Sequence, residues 1–216
     1  MAKFRLLAEH LSRQDLLRPE QLHQPLPVPR RWLELVHPRP YHQAFARGEL
    51  GPAAERRIGL PATTPLVRRS WLAVGGTVLT ARLALQHGLA CHLAGGTHHA
   101  FPDYGSGFCI FNDVAIAARV LLAEGLVRQL LVVDLDVHQG DGTASLTAGR
   151  ADIFTLSLHA EKNFPVRKAR SSRDVALPDG VDDDGYMEAL TRHLPQVLAD
   201  FAPDFVLYQA GVDPHI

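Results

Sequence analysis

Downstream of residue 88 the chain alternates between short apolar runs and longer amphipathic ones, a regularity that its earlier part lacks. Leu89–Leu93, Gln129–Asp136, Asp152–His159 and Phe205–Gly211 read as strands. Within the second, Leu130–Val133 is apolar without interruption, the pattern of a strand covered on both faces in a parallel sheet. Asn112–Glu124 sets Val114, Ala117, Ala118, Leu121 and Leu122 on one stripe and predicts an amphipathic helix. Gly142–Ala148 predicts a short helix and Gly185–Phe201 a longer one, with a polar, solvated loop at Ala160–Asp184 carrying Lys162, Arg167, Lys168, Arg170 and Arg173. Strand alternating with helix implies right-handed crossovers, hence an α/β fold with a parallel sheet sandwiched by helices.

The earlier part reads as helices at Ala2–Leu11, Gln14–Leu22, Tyr41–Leu50 and Ala53–Ile58. Between them Leu26–Pro40 is loop with a brief strand at Leu33–His37, and Pro61–Pro65 breaks the pattern. A long helical run, Val67–His87, contains Gly75–Gly76, which implies either close packing of this helix on the sheet or a kink, since paired glycines weaken a helix.

The 216 residues are 46% hydrophobic and 21% charged with a net charge of −1, which suits one domain over 1–216 with a sizeable core. Near-neutral charge leaves no footprint for nucleic acid or an anionic membrane. No apolar run reaches the roughly 18 residues of a membrane span. Cys91 and Cys109, the only two cysteines, make neither a disulfide framework nor a CxxC pair, so a cytoplasmic setting is expected.

Chemistry enters where the buried strand meets Asp134. Ionised groups do not sit in a strand interior unpaired, so the carboxyl end of this strand opens into a site. Asp136 and His138 lie two apart on extended chain and share a face, a partial site for a divalent ion such as Zn²⁺. Asp213, after the last strand, is the natural third ligand, and two Asp with one His leave a position open, as catalytic zinc requires. The same residues could equally form a hydrogen-bonded Asp/His network at a sheet edge. Adjacent His98 and His99 diverge too far to share a metal and suit acid/base work instead, with Asp134 and Asp141 free to orient them. Gly105–Phe108 can form a tight turn with Phe108 as an apolar wall.

Together GGTHHAFPDYGSGFCIFNDVAIAA (95–118), VVDLDVHQGDGTA (132–144), SLH (157–159) and AGVDPH (210–215) resemble the histone deacetylase superfamily. HQG and NFP at 163–165 are similar to its class IV-like bacterial members, and the likeness runs from about Arg69 onward. The resemblance implies an arginase/deacetylase-like fold and zinc-dependent hydrolysis of acyl-lysine or a related small amide. It casts Asp136, His138 and Asp213 as zinc ligands, His99 as general base, and His98 as its electrostatic or acidic partner. Asp134 and Asp141 become the carboxylates behind the two histidines. Gly107, Phe108 and Phe164 become walls of a substrate tunnel, and Ser157 and Leu158 join Asp134, Asp136 and His138 around a structural K⁺.

The family's glycine-rich segment ending in an oxyanion-binding tyrosine, expected after AGVDPH, does not precede Ile216, and the strand expected ahead of the first helix does not precede Met1. A domain shortened at both ends, with impaired turnover, is therefore the expectation. Its rivals are a metal- or acyl-binding pseudoenzyme acting by association and an arginase-type hydrolase with two manganese ions.

Overall fold

The structure is a computed structural model that describes residues 3–214. Four parallel strands, β1 (Leu130–Asp134), β2 (Ile153–Ala160), β3 (Arg173–Leu177) and β4 (Phe205–Gln209), form one sheet in the order β3-β2-β1-β4. From β1 the chain moves outward through α7 (Asp141–Thr147) to β2 and β3. It then returns through α8 (Asp183–Phe201) to lay β4 on the other side of β1. The strand order thus reverses at β1, and the segments leaving β1 and β4 meet there, the Val137 N–H donating to an Asp213 oxygen at 3.2 Å. In open α/β sheets ligands bind at such a point.

β1 is buried along its whole length because both faces are covered. Leu130 and Val132 pack with Ala81, Val114, Ala118 and Leu121, from α5 (Thr64–His87) and α6 (Asp113–Ala123). Leu131 and Val133 pack on the opposite face with Val197, Leu190 and Leu194 of α8. The remaining helices, α1 (Lys3–Arg13), α2 (Arg30–Leu33), α3 (Arg39–Arg47) and α4 (Pro52–Ile58), belong to the earlier part of the chain. Residues of α2, α3 and α4 build a separate core around Phe111, whose ring stands edge-on to Tyr41, Phe45 and Trp71. Truncating a ring so enclosed costs about 3–5 kcal/mol. No helix among the described residues is long and apolar enough to cross a membrane.

Several sequence expectations give way to tertiary context. Leu89–Leu93 pairs with no strand; a strand needs a ladder, and here a side chain, Gln209 donating to the Gly96 carbonyl, spans to β4 instead. Leu33–His37 closes a helical turn after Pro29, with the His37 N–H donating to the Leu33 carbonyl, because Leu33 buries itself among helices. In place of a helix over Gln14–Leu22 only a short 3₁₀ turn forms at Pro19–Gln21: Asp15 takes a left-handed φ that stops α1, and Pro19 lacks an N–H. Pro65 does not break α5 but sits in its first turn behind the Thr63 cap, where proline is tolerated. β3, with Arg173 at its start, lies inside what reads as loop, its exposed edge position permitting alternate polar residues. Gly75–Gly76 lie within one continuous helix, α5, and face segments other than the sheet. A Cβ at 75 would strike the Leu26 carbonyl, and one at 76 the His92 ring, so the helix is packed closely against those segments.

Candidate active site

The polar residues that follow β1 cannot remain in the ladder, and the chain turns so that each finds a partner. Asp134, at the last position of β1, accepts from His98 Nδ1 at 2.6 Å, and Asp141, at the start of α7, accepts from His99 Nδ1 at 2.7 Å. All four side chains are buried, and the two imidazoles lie 4.1 Å apart between centroids. With an acceptor-only carboxylate on each Nδ1, that nitrogen carries the proton and Nε2 is turned to the crevice. Gly140 makes the first pair possible, since any Cβ there would collide with the Asp134 carboxylate.

The two histidines differ electrostatically. Burial opposes protonation of His98, but the charge and hydrogen bond of Asp134, with Asp136 and Asp141 beyond, outweigh it and raise the imidazole to about 9. For His99 burial prevails over the Asp141 hydrogen bond, and the neighbouring His98 and His138 push the same way, so its pKa is lowered.

Asp136, His138 and Asp213 each turn a donor atom to one point, all within 4.8 Å of one another. His138 Nδ1 lies 2.9 Å from an Asp136 oxygen and 3.2 Å from an Asp213 oxygen. A tetrahedral ion with bonds of about 2.0–2.1 Å sets its ligands a little over 3 Å apart, so one nitrogen and two carboxylates at this spacing fit Zn²⁺. Asp213 reaches in from the end of β4, and Gly211 allows it: a Cβ there would meet the Asp136 carboxylate. The third donor is therefore delivered by the strand laid down last.

Over this floor stand the aromatic residues. Phe164 places its ring edge-on to His99 at 4.9 Å and to His138 at 6.1 Å. Gly107 lies against His99, which a Cβ there would approach to 2.8 Å, and Phe108 beside it is 65% exposed. Both have positive φ, and Ser106 and Cys109 exchange two backbone hydrogen bonds across them, closing the tight turn. Ser157 lies in register with Asp134 on the adjoining strand, but its hydroxyl is engaged with His159 Nδ1 at 2.8 Å. Leu158 points into the α8 face, so only its backbone could serve an ion.

Four further residues shape the site. The Asn112 side chain caps α6 at Ala115 and donates to the carbonyls of His98 and Ala100. Asp113 accepts from the N–H groups of Gly96 and Thr97, anchoring the histidine loop from its other end. His37 bridges that loop and α6: Nδ1 donates to the Pro102 carbonyl while Nε2 accepts from the Asn112 N–H. Gln139 holds the Phe164 loop through the Ala169 backbone and Asp174. Asn112 before an amphipathic helix is a legible cap signal. Asp113, His37 and Gln139 act through partners distant in sequence and leave no local signature.

The histone deacetylase domain model matches residues 1–216. A Picosynechococcus protein described as uncharacterized is 55% identical over the whole chain, which spans 72% of it. The acetoin utilization protein AcuC of Staphylococcus aureus is 32% identical over 99% of the chain, which spans 60% of that relative. Among solved structures, the HDAC homologue from Aquifex aeolicus superposes with a TM-score of 0.84 at 28% identity, covering 97% of this chain and 62% of its own. The chain thus spans about three fifths of the length of AcuC and of that homologue. Fold, motif order and full-length family match agree that this chain belongs to the histone deacetylase family.

Proposed function

We propose that the chain carries the catalytic floor of a zinc-dependent hydrolase that removes acyl groups from acyl-lysine or a related small amide. One observation carries this reading: an Asp₂His donor cluster lies directly beside two imidazoles, each oriented by a buried carboxylate. Asp136, His138 and Asp213 hold the ion, which when bound polarises an amide carbonyl and acidifies water. His99 accepts a proton at Nε2 while Asp141 fixes its tautomer. His98, its Nε2 at 3.8 Å from Asp136, supplies positive charge beside the reacting carbonyl. Phe108 and Phe164 flank the extended alkyl stem of the substrate and keep water from it. Ser157 and Leu158, with Asp134, Asp136 and His138, are the candidate K⁺ shell, with a structural role only.

Metal analysis of the purified chain, coupled to release of acetate from an acetyl-lysine peptide, tests the reading. One zinc per chain is expected, lost in His138→Ala, with acetate release that stops in the same variant. Two manganese ions per chain would place it with the arginase-type hydrolases. Zinc and peptide binding without any acetate released would make it a protein that acts by association.

A further inference from the structure

The Phe108 ring is largely exposed, and α4 lies beside its turn. The Phe108 N–H donates to the Ile58 carbonyl at 2.7 Å, at the last residue of that helix. The Ile58 side chain lies under Gly105, where an added Cβ would approach it to 2.8 Å. Arg57 stands over the Tyr104 ring at 4.7 Å. Three consecutive residues of α4 and its cap thus bracket the turn 104–108, and the third is Gly59. A Cβ on Gly59 would lie 2.8 Å from Phe108 Cε1 and 3.2 Å from Cδ1, inside contact distance. The obstructing group is an exposed ring rather than backbone, so against that Cβ it is the ring that would yield, while the positive φ at Gly59 adds a backbone strain of its own.

We propose that Gly59 is a positioning residue for the Phe108 wall, and that position 59 sets how wide a groove is left for the acyl-lysine stem. The inference rests on the acyl-amide reading above. Residue 59 is far from the ligand cluster in sequence and touches no residue of it, so its effect travels through the aromatic ring alone.

Gly88 supplies a control. Each glycine ends a helix at positive φ, +80° at Gly59 and +84° at Gly88, with its N–H returned to the helix, while ψ differs, 11° against −36°. Around Gly88, however, nothing lies within 4 Å of an added Cβ. Alanine strains both backbones, Gly88 the more because it lies outside the left-handed helical region, but crowds a ring only at Gly59. Asparagine, which tolerates the left-handed region, gives the same Cβ with less strain should alanine unfold the chain.

The experiment measures the binding of octanohydroxamic acid, a linear chelating probe, to the zinc-loaded chain by calorimetry. Thermal midpoints are recorded in parallel on metal-free protein. Gly59→Ala and Gly88→Ala should each lower the midpoint, and Gly59→Ala alone should weaken hydroxamate binding, by about three- to tenfold, the effect of driving one ring off its rotamer. In a Phe108→Ala background Gly59→Ala should change affinity no further. Equal affinities for Gly59→Ala and Gly88→Ala, in a wild-type chain that binds, overturn the inference, as does a loss that persists without the Phe108 ring. A zinc-loaded wild-type chain that does not bind the hydroxamate overturns the acyl-amide reading itself, and this inference with it.

Discussion

The floor and the rim of the crevice are built on opposite principles. On the floor His98, His99, Asp134 and Asp141 are buried, and every oriented nitrogen has a named acceptor. At the rim Phe108, Phe164 and Asp213 are partly or largely exposed, held by backbone hydrogen bonds and by a few side chains behind them. Hydrogen bonds in a low-dielectric interior are strong and stiff, and an unpaired group there is costly. On the proposed function the floor is therefore suited to chemistry that tolerates no misplacement, and the rim to fitting a substrate.

Breaking the floor should show the largest effect. Asp141→Asn presents His99 with a side chain that can donate, so the wrong ring nitrogen is protonated. Loss of the carboxylate behind a hydrolase histidine lowers the rate by up to about 10⁴-fold. Acetate release at matched zinc content checks this, and a variant within a few fold of wild type would refute the role given to Asp141.

Next comes the support beneath the floor. Burial holds the His37 imidazole neutral, its pKa lowered to about 4 from an ordinary 6.5. The unfolded chain therefore binds a proton that the folded chain refuses between those pH values, and stability falls as pH drops through that window. It is unaffected by His37 above about 6.5. The contribution is on the order of 3 kcal/mol. Urea denaturation of metal-free wild type and His37→Gln at pH 7 and pH 4 should show a smaller acid loss in the variant. Equal losses would mean that His37 is not a buried neutral clasp.

The ligand cluster, part floor and part rim, follows. Zinc at about a hundred times its dissociation constant should stabilise the chain by about 2.7 kcal/mol, reversed by a chelator and absent in Asp213→Asn. A thermal midpoint indifferent to zinc would remove the metal site. The smallest effect belongs to the rim. Phe164→Ala removes an edge-on contact of the kind worth about 0.5–1.5 kcal/mol, so KM for an acyl-lysine peptide should rise several fold with kcat little changed. An equal fall in kcat would move Phe164 from the rim to the chemistry.

The same division explains what was legible beforehand. The buried strand Leu130–Val133 and the sudden charges after it announce both the sheet and its open end, because apolar continuity and unpaired carboxylates are local facts of the sequence. The parallel sheet between helix layers followed from the alternation of elements and is what the structure has. Elements whose state depends on distant partners were not legible. Leu89–Leu93 has a strand's composition but no ladder beside it, and Leu33–His37 trades an extended form for burial among helices. At the site the histidines and carboxylates could be named from motif and spacing, and Phe164 from the family resemblance, and the structure brings these side chains close together. His37, Asp113 and Gln139 could not be named, since each works by joining segments far apart in the chain.

The reversal of strand order at β1 has a thermodynamic side as well. Asp136 and Asp213 are separated by 77 positions, 213 minus 136, and that intervening chain includes β2, β3, α8 and β4. An ion shared by both ends closes this long loop as a cross-link does, and closing long loops removes the most freedom from an unfolded chain. Among the described residues β4 pairs with β1 alone, and its Val206 and Tyr208 are exposed. On the proposed reading a bound metal would therefore be a clasp as well as a reagent, tying an edge strand to the buried one, and amide exchange in β4 should quicken when the ion is withdrawn.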